Sequence, residues 1–179
     1  MADHRTTTTA PRLPREIEAD PCHAAVQAAL AARTRLLWPG GTLVTSVVPL
    51  SDALRRVLAD PDVTRLLRRG LEAATSALDA ERRGLTALTP AEARRQGARV
   101  SRLLLLANDG AGRFYRQVER LVATHAPRVL ACVVDCDSAT LGALLYGRGA
   151  IAKLVLAEHK SAVAAVLRAL AVGSPAALH

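Results

Sequence analysis

Three apolar runs, each followed by a segment with helical spacing, constrain the fold of this chain more than any other feature. The runs lie in "VSRLLLLAND" (100–109), "PRVLACVVD" (127–135) and "AIAKLVLAEH" (150–159). Such runs are typical of strands that are covered on both faces, and strands that alternate with helices form α/β folds. The sequence therefore predicts an α/β protein, a three-layer α/β/α sandwich with a small mixed sheet.

Helix start and stop signals organise the segment before the first apolar run. Ser51 is a predicted N-cap, and Asp60 is a second one, with Pro61 in the first helical turn. The stretch "RLLRRGLEAATSAL" (65–78) reads as a helix that ends in basic residues, then a glycine, then a second helix. That second helix is expected to stop at Gly84, since glycine is common at helix ends.

The first 50 residues differ in character from the rest of the chain. Residues 1–20 are polar and contain proline, which predicts a tail, and a helix is expected to follow Asp20. Pro39-Gly40-Gly41 separates two β-like runs, which predicts a hairpin or a loop plus a strand. We therefore divide the chain into an N-terminal tail and extension (1–50), an α/β domain (51–172) and a short C-terminal tail (173–179).

The sequence carries no signal for a membrane or for secretion. Its apolar runs are shorter than the roughly 18–20 residues that a membrane span needs. The start of the chain lacks the apolar core of a secretory signal, and three cysteines are too few for a disulfide framework. We expect an intracellular protein without a membrane partner, located in the cytoplasm or, in a eukaryote, in the nucleus or nucleolus. Location in an organelle is a further alternative.

The charge is strongly basic and consists almost entirely of arginine. The net charge is +8, and Lys153 and Lys160 are the two lysines among 24 basic residues. Residues 51–126 carry 14 arginines against nine acidic residues. The planar guanidinium donates two parallel hydrogen bonds, which suits phosphate recognition. A basic central region favours a polyanionic partner, although a GC-rich genome also raises the arginine content.

Two groups of residues suggest metal ligands. Cys132 and Cys136 have the spacing of half a metal site, but in a strand they lie about 13 Å apart, which favours buried apolar roles. Asp109, Asp135 and Asp137 follow predicted strands and could together bind a metal ion. Aspartates after strands are also ordinary turn formers, and we favour that interpretation. We therefore expect neither a metal nor another cofactor.

An enzymatic interpretation depends on His159. This residue follows a predicted strand, and strand ends in α/β sheets often face ligands. Together with Asp109 or Asp135 it would form a general base. No nucleophile lies beside it in the sequence, so we expect no catalytic residues and no small-molecule substrate.

Two segments have the residues of a phosphate site. A helix that begins at Leu71, after Gly70, leaves free N–H groups, and Arg65, Arg68 and Arg69 precede it. The loop "YGRGAIA" (146–152) contains no known phosphate motif, but its small residues and arginine could present N–H groups and a guanidinium to a phosphate. A plain helix-to-strand connection is the alternative for this loop.

These segments carry a resemblance. "RLLRRGLEAATSAL", "VSRLLLLANDGAG" and "DSATLGALLYGRGAIAKLVLAEHK" together resemble the ribosomal-protein L-seven-Ae/L-thirty-e superfamily of RNA-binding proteins, over residues 51–171. The resemblance implies an α/β/α sandwich in which the loop after the Leu141-Gly142 helix lies beside the Gly70 helix start. It implies RNA contacts from this loop, with Arg148 as the charged residue and Ile151 as the apolar one.

The kink-turn motif of that family is mostly replaced. Its pattern is Gly-x-Asn-Glu-x-x-Lys at the start of the second helix, and here these places hold Gly70, Glu72, Ala73 and Ser76. In the family the glutamate accepts from a guanine edge; Glu72, one position earlier, could substitute for it. The resemblance therefore implies a surface that binds structured RNA mainly through phosphates.

The leading hypothesis is a non-enzymatic RNA-binding subunit of a ribonucleoprotein particle, such as a ribosome, a small nucleolar particle or a ribonuclease P type complex. Its partners would be structured RNA and other subunits of the particle. The alternative is a protein-interaction module on the same fold that has lost specific RNA recognition. Two further alternatives are the small enzyme described above and a substrate-binding domain like that of knotted RNA ribose methyltransferases.

Overall fold

The computed structural model describes residues 10–92 and 98–172. Its centre is an open mixed sheet of six strands in the order β1-β2-β5-β4-β6-β3. The strands are β1 (Thr34–Leu36), β2 (Val44–Val48), β3 (Leu67–Arg69), β4 (Arg102–Leu106), β5 (Val129–Val134) and β6 (Leu154–Ala157). The predicted α/β class is therefore confirmed, and the three apolar runs are the strands β4, β5 and β6.

Helices cover both faces of this sheet. On one face lie α1 (Arg15–Glu18), α2 (His23–Ala32), α3 (Asp52–Ala59), α4 (Pro61–Thr64), α7 (Ser138–Tyr146) and α8 (Lys160–Val172); on the other lie α5 (Leu71–Thr86) and α6 (Gly112–Thr124). Each face has its own apolar core, and the side chains of Leu103 to Leu106 are completely buried, alternating between the two cores. This burial explains why the strands are apolar at successive positions. Among the described helices, none is long and apolar enough to cross a membrane.

The strand directions give the sheet two distinct edges. Strands β2, β5 and β4 are parallel, whereas β6 runs antiparallel to β4, and β3 runs antiparallel to β6. We call the edge where β2, β3, β4 and β5 end and β6 begins the carboxyl edge. The opposite edge, where β4 and β5 begin and β6 ends, is the amino edge. Helices α3, α5, α6 and α7 begin at the carboxyl edge, and α8 begins at the amino edge.

Two predicted helix caps are confirmed. The Ser51 side chain accepts a hydrogen bond from the Leu54 N–H at 3.2 Å. The Asp60 carboxylate accepts from the Asp62 N–H at 2.8 Å, and Pro61 occupies the first helical position. Both side chains satisfy an N–H group that has no partner within its helix.

The stretch between α4 and α5 differs from the prediction. Leu67, Arg68 and Arg69 do not end a helix but form β3, whose residues pair with Ala157, Leu156 and Val155. Leucine and arginine are good helix formers, but here a neighbouring strand 85 or more residues away in sequence supplies the hydrogen bonds. Gly84 does not end α5, which continues to Thr86.

The N-terminal segment is also packed more closely than expected. Residues 10–20 do not form a polar tail: Leu13 and Ile17 are buried in the core beside α8, and the Asp20 carboxylate pairs with Arg168 of α8 at 2.9 Å. Pro39-Gly40-Gly41 is the turn of the β1–β2 hairpin, as one of the two alternatives predicted, and β2 pairs with β5. Residues 1–9 and the predicted C-terminal tail lie outside the described part.

Candidate nucleic-acid interface

Gly70 forms the turn that leads from β3 into α5. Its φ of +92° and ψ of 158° lie in a region that only glycine adopts without strain. Its N–H donates to the Leu154 carbonyl oxygen at 2.9 Å, and its carbonyl oxygen accepts from the Ala74 N–H at 3.1 Å. No side chain of the described residues caps α5, so its first N–H groups point outward at the carboxyl edge.

The loop between α7 and β6 is folded back on α7. Gly147 and Gly149 have φ values of +92° and +84°, and the Ala150 N–H donates to the Gly147 carbonyl oxygen at 3.1 Å. The Ala152 N–H donates to the Ser138 carbonyl oxygen at 2.8 Å. These bonds fix the loop, and they leave Arg148 at its exposed tip.

Leu141 and Gly142 lie in α7, the helix against which this loop packs. Leu141 is completely buried, so its side chain supports the core and does not reach a ligand. A Cβ atom on Gly142 would lie 2.2 Å from the Ala150 carbonyl oxygen. Glycine at this position therefore allows the loop to lie directly against α7.

The Gly70 turn and the loop lie side by side. The hydrogen bond between Gly70 and Leu154 joins them through the backbone. The Arg69 guanidinium adds a side-chain contact, because it lies 5.1 Å from the centre of the Tyr146 ring at the end of α7. Burial raises the pKa of Tyr146, and the charge of Arg69 opposes this. We call residues 69–73 and 146–153 together the Gly70–loop surface.

The exposed side chains of this surface are cationic, acidic and apolar. Arg148 and Lys153 are exposed and have no ion-pair partner among the described residues. Ile151 is 47% exposed, which is unusual for a large apolar side chain. Glu72 is exposed in the first turn of α5, whereas Leu71 is half-buried against the core below α5. The surface therefore offers two free cations, an apolar contact and one carboxylate.

Arg65 and Arg68 lie apart from this surface. Arg68 pairs with Glu158 just beyond the end of β6, at 2.7 Å, and this carboxylate raises the pKa of Arg68. Arg65 precedes β3 and lies 3.3 Å from Asp62. Because β3 runs toward the carboxyl edge, both side chains lie on the side of the amino edge. The structure thus places Arg69 and Gly70 against the two ends of the loop that carries Arg148 and Ile151, and it places Arg65 and Arg68 apart from that loop.

The three aspartates at strand ends hold turns and caps. Both Asp109 oxygens accept from Ser138, one from its N–H at 2.9 Å and one from its hydroxyl at 2.8 Å. Asp137 caps α7 by accepting from the Thr140 N–H, which lowers the pKa of Asp137. Asp135 pairs with Arg33 at 2.7 Å. Asp137 therefore caps a helix and Asp109 joins the turn after β4 to the start of α7, whereas Asp135 forms an ion pair. Among the described residues, no three carboxylate, histidine or cysteine side chains are grouped so that they could hold a metal ion.

His159 does not meet the aspartates. It follows β6 at the amino edge, and its ring nitrogen lies 2.8 Å from the Ser161 hydroxyl. Asp109 and Asp135 follow β4 and β5 at the carboxyl edge. The length of the sheet separates these groups, so they do not form the pocket that the enzymatic alternative requires.

Cys132 and Cys136 have the properties of buried side chains. Cys132 is completely buried, and burial raises its pKa to about 12. Cys136 is half-buried, and burial together with the neighbouring aspartates raises its pKa to about 11. Metal binding and nucleophilic attack need the thiolate, so the favoured interpretation of both residues as buried apolar groups agrees with the structure.

Sequence reasoning missed two residues of the surface. In the sequence, Tyr146 opens the loop 146–152 and Lys153 lies in the third apolar run, and neither is singled out as a ligand contact. The signal for Lys153 was present: it is one of two lysines in the chain, and it follows an Arg-bearing loop by a few residues. No local signal identifies the contact of Tyr146 with Arg69, since 77 residues separate them.

Comparison with known proteins gave no match, either to a family model or to a curated protein.

Proposed function

We propose that this protein is a non-enzymatic RNA-binding protein that holds structured RNA on the Gly70–loop surface, as a subunit of a ribonucleoprotein particle. One observation supports this most: the hydrogen bond from the Gly70 N–H to the Leu154 carbonyl oxygen joins an uncapped helix start to a basic loop. A single surface therefore combines the positive end of a helix with exposed cations, and phosphate is the group that this combination suits best.

The cations of the surface are available to a ligand. Arg148 and Lys153 are exposed, and no carboxylate among the described residues neutralises them. A phosphate bound between them and the first N–H groups of α5 would release counterions, so binding would weaken steeply as salt rises. The net charge of +8 attracts a polyanion over a longer range.

The same surface is poor in groups that read bases. Ala73 and Ser76 stand where a carboxylate and an ammonium group would be needed for a base-specific contact, and both are exposed. Glu72 is the one carboxylate in the first turn of α5 and could accept from a guanine edge. Ile151 offers an apolar contact. We therefore propose recognition of RNA shape and backbone, which is how proteins recognise most helical RNA.

Binding of a protein partner is the second candidate function. Exposed Ile151 beside glycine-rich backbone suits a protein contact as well, and Arg68 is already paired with Glu158. A protein-interaction module would keep its partner after the cations are reversed, whereas an RNA-binding protein would lose its ligand.

Filter binding separates the two functions. The probes are a labelled RNA hairpin with a kink-turn internal loop and a plain RNA duplex of equal length. We expect both to bind at low salt, with affinities that differ by less than about tenfold, because base-reading groups are few. The double variant Arg148→Glu/Lys153→Glu should bind at least about tenfold more weakly.

The control is the double variant Arg56→Glu/Arg120→Glu, which makes the same charge change on exposed residues of α3 and α6. It should stay within about twofold of the wild type once the lower net charge is taken into account. Absence of binding to either RNA at low salt would refute the proposed function.

A further inference from the structure

A basic groove lies at the amino edge, at the opposite end of the strands from the Gly70–loop surface. Its volume is about 650 Å³. The N–H of Val100 donates to the Arg12 carbonyl oxygen at 2.8 Å, which fixes α1 beside the start of β4. The polar side chains that line it belong to Arg15, Glu16, Arg99, Ser101, Arg128 and Lys160.

The cations of this groove outnumber its acids. Arg15 and Lys160 are exposed and have no ion-pair partner in the described part of the chain. Arg99 pairs with Glu18, and Arg128 pairs with Glu81. Both of these pairs lie at the groove and hold their guanidinium groups in place. Among the residues that the structure describes, Glu16 is the one acidic side chain that lines the groove.

Two further groups point to an anionic ligand. The Ser101 hydroxyl oxygen is buried and has no hydrogen-bond partner among the described residues. Buried hydroxyl groups normally have a partner, and Ser101 lines the groove, so rotation about its Cα–Cβ bond would bring the hydroxyl to an oxygen acceptor bound there. Lys160 is the first residue of α8, a helix of 13 residues, and the positive end of α8 therefore also lies at the groove.

From these observations we propose that the amino-edge groove binds the phosphate of a nucleotide unit. Arg15 and Lys160 would neutralise the phosphate, the Ser101 hydroxyl would donate to one of its oxygens, and Pro14, Val100 and Val163 would contact the ribose and base. The volume is much larger than a phosphate alone requires, and these apolar lining residues fit the remainder of a nucleotide.

This site is independent of the proposed function. β6 spans the sheet between the two sites, and at 3.3 Å per residue its four residues and flanking turns separate them by roughly 15–20 Å. The phosphate could belong to an RNA backbone that passes the amino edge or to a free mononucleotide. In the first case the protein would contact RNA at two opposite edges, as expected of a subunit lodged between RNA segments.

The test follows backbone amide NMR shifts of the full-length protein during titration with inorganic phosphate and with AMP, up to about 10 mM, which detects dissociation constants in the millimolar range. We expect shifts at Ser101, Lys160 and Ser161, with AMP binding more tightly than phosphate. The variant Arg15→Glu/Lys160→Glu should weaken AMP binding by at least about tenfold. Ser101→Ala should weaken it by about fivefold without lowering the melting temperature, because the hydroxyl has no hydrogen-bond partner among the described residues.

The other variants decide the source of the phosphate and the independence of the sites. Arg148→Glu/Lys153→Glu should keep wild-type AMP binding, and Arg56→Glu/Arg120→Glu should keep it too. If Arg15→Glu/Lys160→Glu also weakens binding of the RNA hairpin, the phosphate belongs to RNA; if it weakens AMP binding alone, the ligand is a free nucleotide. Absence of shifts at the groove in the wild type, or unchanged AMP binding in Arg15→Glu/Lys160→Glu, would overturn the proposal whether or not RNA binds at the carboxyl edge.

Discussion

The N–H of Gly70 donates to the carbonyl oxygen of Leu154 at 2.9 Å, and this bond joins the start of α5 to the end of the 147–153 loop. The two residues lie 84 positions apart in the chain, yet together they define the surface that we propose for RNA. Gly70 turns the chain from β3 into α5 at a positive φ, and Leu154 is the first residue of β6, the strand that pairs with β3. The position of the basic loop thus depends on a glycine and on the pairing of β3 with β6.

Substitutions of three glycines should have different effects on the free energy of unfolding. Gly142→Ala should be the most destabilising, by about 3 kcal/mol or more, because a Cβ atom would lie 2.2 Å from a backbone oxygen. Gly70→Ala should cost about 1–3 kcal/mol through backbone strain alone, since no atom of the described residues lies within 4 Å of the added Cβ. Urea denaturation followed by the fluorescence of Trp38 measures both.

Gly84→Ala is the control for this series. Gly84 lies inside α5, and its added Cβ would meet no atom of the described part of the chain within 4 Å, so alanine should stabilise the protein by about 0.5–1 kcal/mol. Equal destabilisation by Gly142→Ala and Gly84→Ala would contradict the close approach of the loop to α7.

The sheet illustrates what local sequence can predict. The strands β4, β5 and β6 are predictable because each is an apolar run. A strand that is buried on both faces needs apolar residues at successive positions, and this pattern can be seen in the sequence. The strand β3 was missed because two of its three residues are exposed arginines and its hydrogen bonds come from β6, far away in sequence. The packing of residues 10–20 was missed although Leu13 and Ile17 have the four-residue spacing of a helix face, a signal that was present.

Glu119 should make the stability of the β1–β2 hairpin dependent on pH. Its carboxylate accepts hydrogen bonds from the N–H groups of Thr42 and Leu43 and from the Trp38 indole, and these bonds lower the pKa of Glu119 to about 2. A folded-state pKa below the usual value near 4.5 means that the stabilisation is fully present above pH 4.5 and is lost as the pH falls toward 2. Unfolding measured between pH 6 and 2 should show this loss.

Glu119→Gln tests the assignment. This variant lacks the titrating group, so it should be less stable than the wild type at pH 6, and the difference should shrink as the pH approaches 2. Trp38 fluorescence reports the hairpin directly, because the indole N–H contacts this carboxylate. A constant difference between the two proteins over this range would show that the Glu119 carboxylate does not hold the turn.

Cys132 should react with thiol reagents only when the protein unfolds. It is completely buried, and burial raises its pKa to about 12. In the folded state the reagent therefore cannot reach the sulfur, and the reactive thiolate is not formed. Reaction with an aromatic disulfide reagent at pH 8, followed by peptide mapping, should label Cys132 at the rate of unfolding. Labelling of Cys132 in the folded protein as rapidly as in urea would contradict its place in the core.

Arg148 of the loop and Arg68 of β3 should contribute unequally to RNA binding. Arg148 is exposed and has no ion-pair partner in the described ranges, whereas Arg68 is paired with Glu158. Arg148→Gln should therefore weaken binding of the RNA hairpin by about 1 kcal/mol, and Arg68→Gln should change it by less than about 0.3 kcal/mol. The reverse order would place the RNA nearer the amino edge.

The candidate site was predictable in part. A glycine before a helix and an Arg-bearing loop were visible in the sequence, since both are local patterns. The sequence does not show which cations lie at this surface, because that depends on strand pairing. In β3, Arg69 contacts Tyr146, whereas Arg68 pairs with Glu158. The roles of Leu141 and Gly142 also become clear through packing, since one is buried and the other lies against Ala150.

The most direct test of the central claim is the salt dependence of RNA affinity for the wild type and for Arg148→Gln/Lys153→Gln. If both cations contact phosphates, the logarithm of the association constant should fall linearly with the logarithm of the salt concentration, and the variant should lower the slope by about 1.5–2. Arg56→Gln/Arg120→Gln, which removes equal charge elsewhere, should leave the slope nearly unchanged. A wild-type affinity that does not vary with salt, or the same slope in all three proteins, would contradict phosphate binding at the Gly70–loop surface.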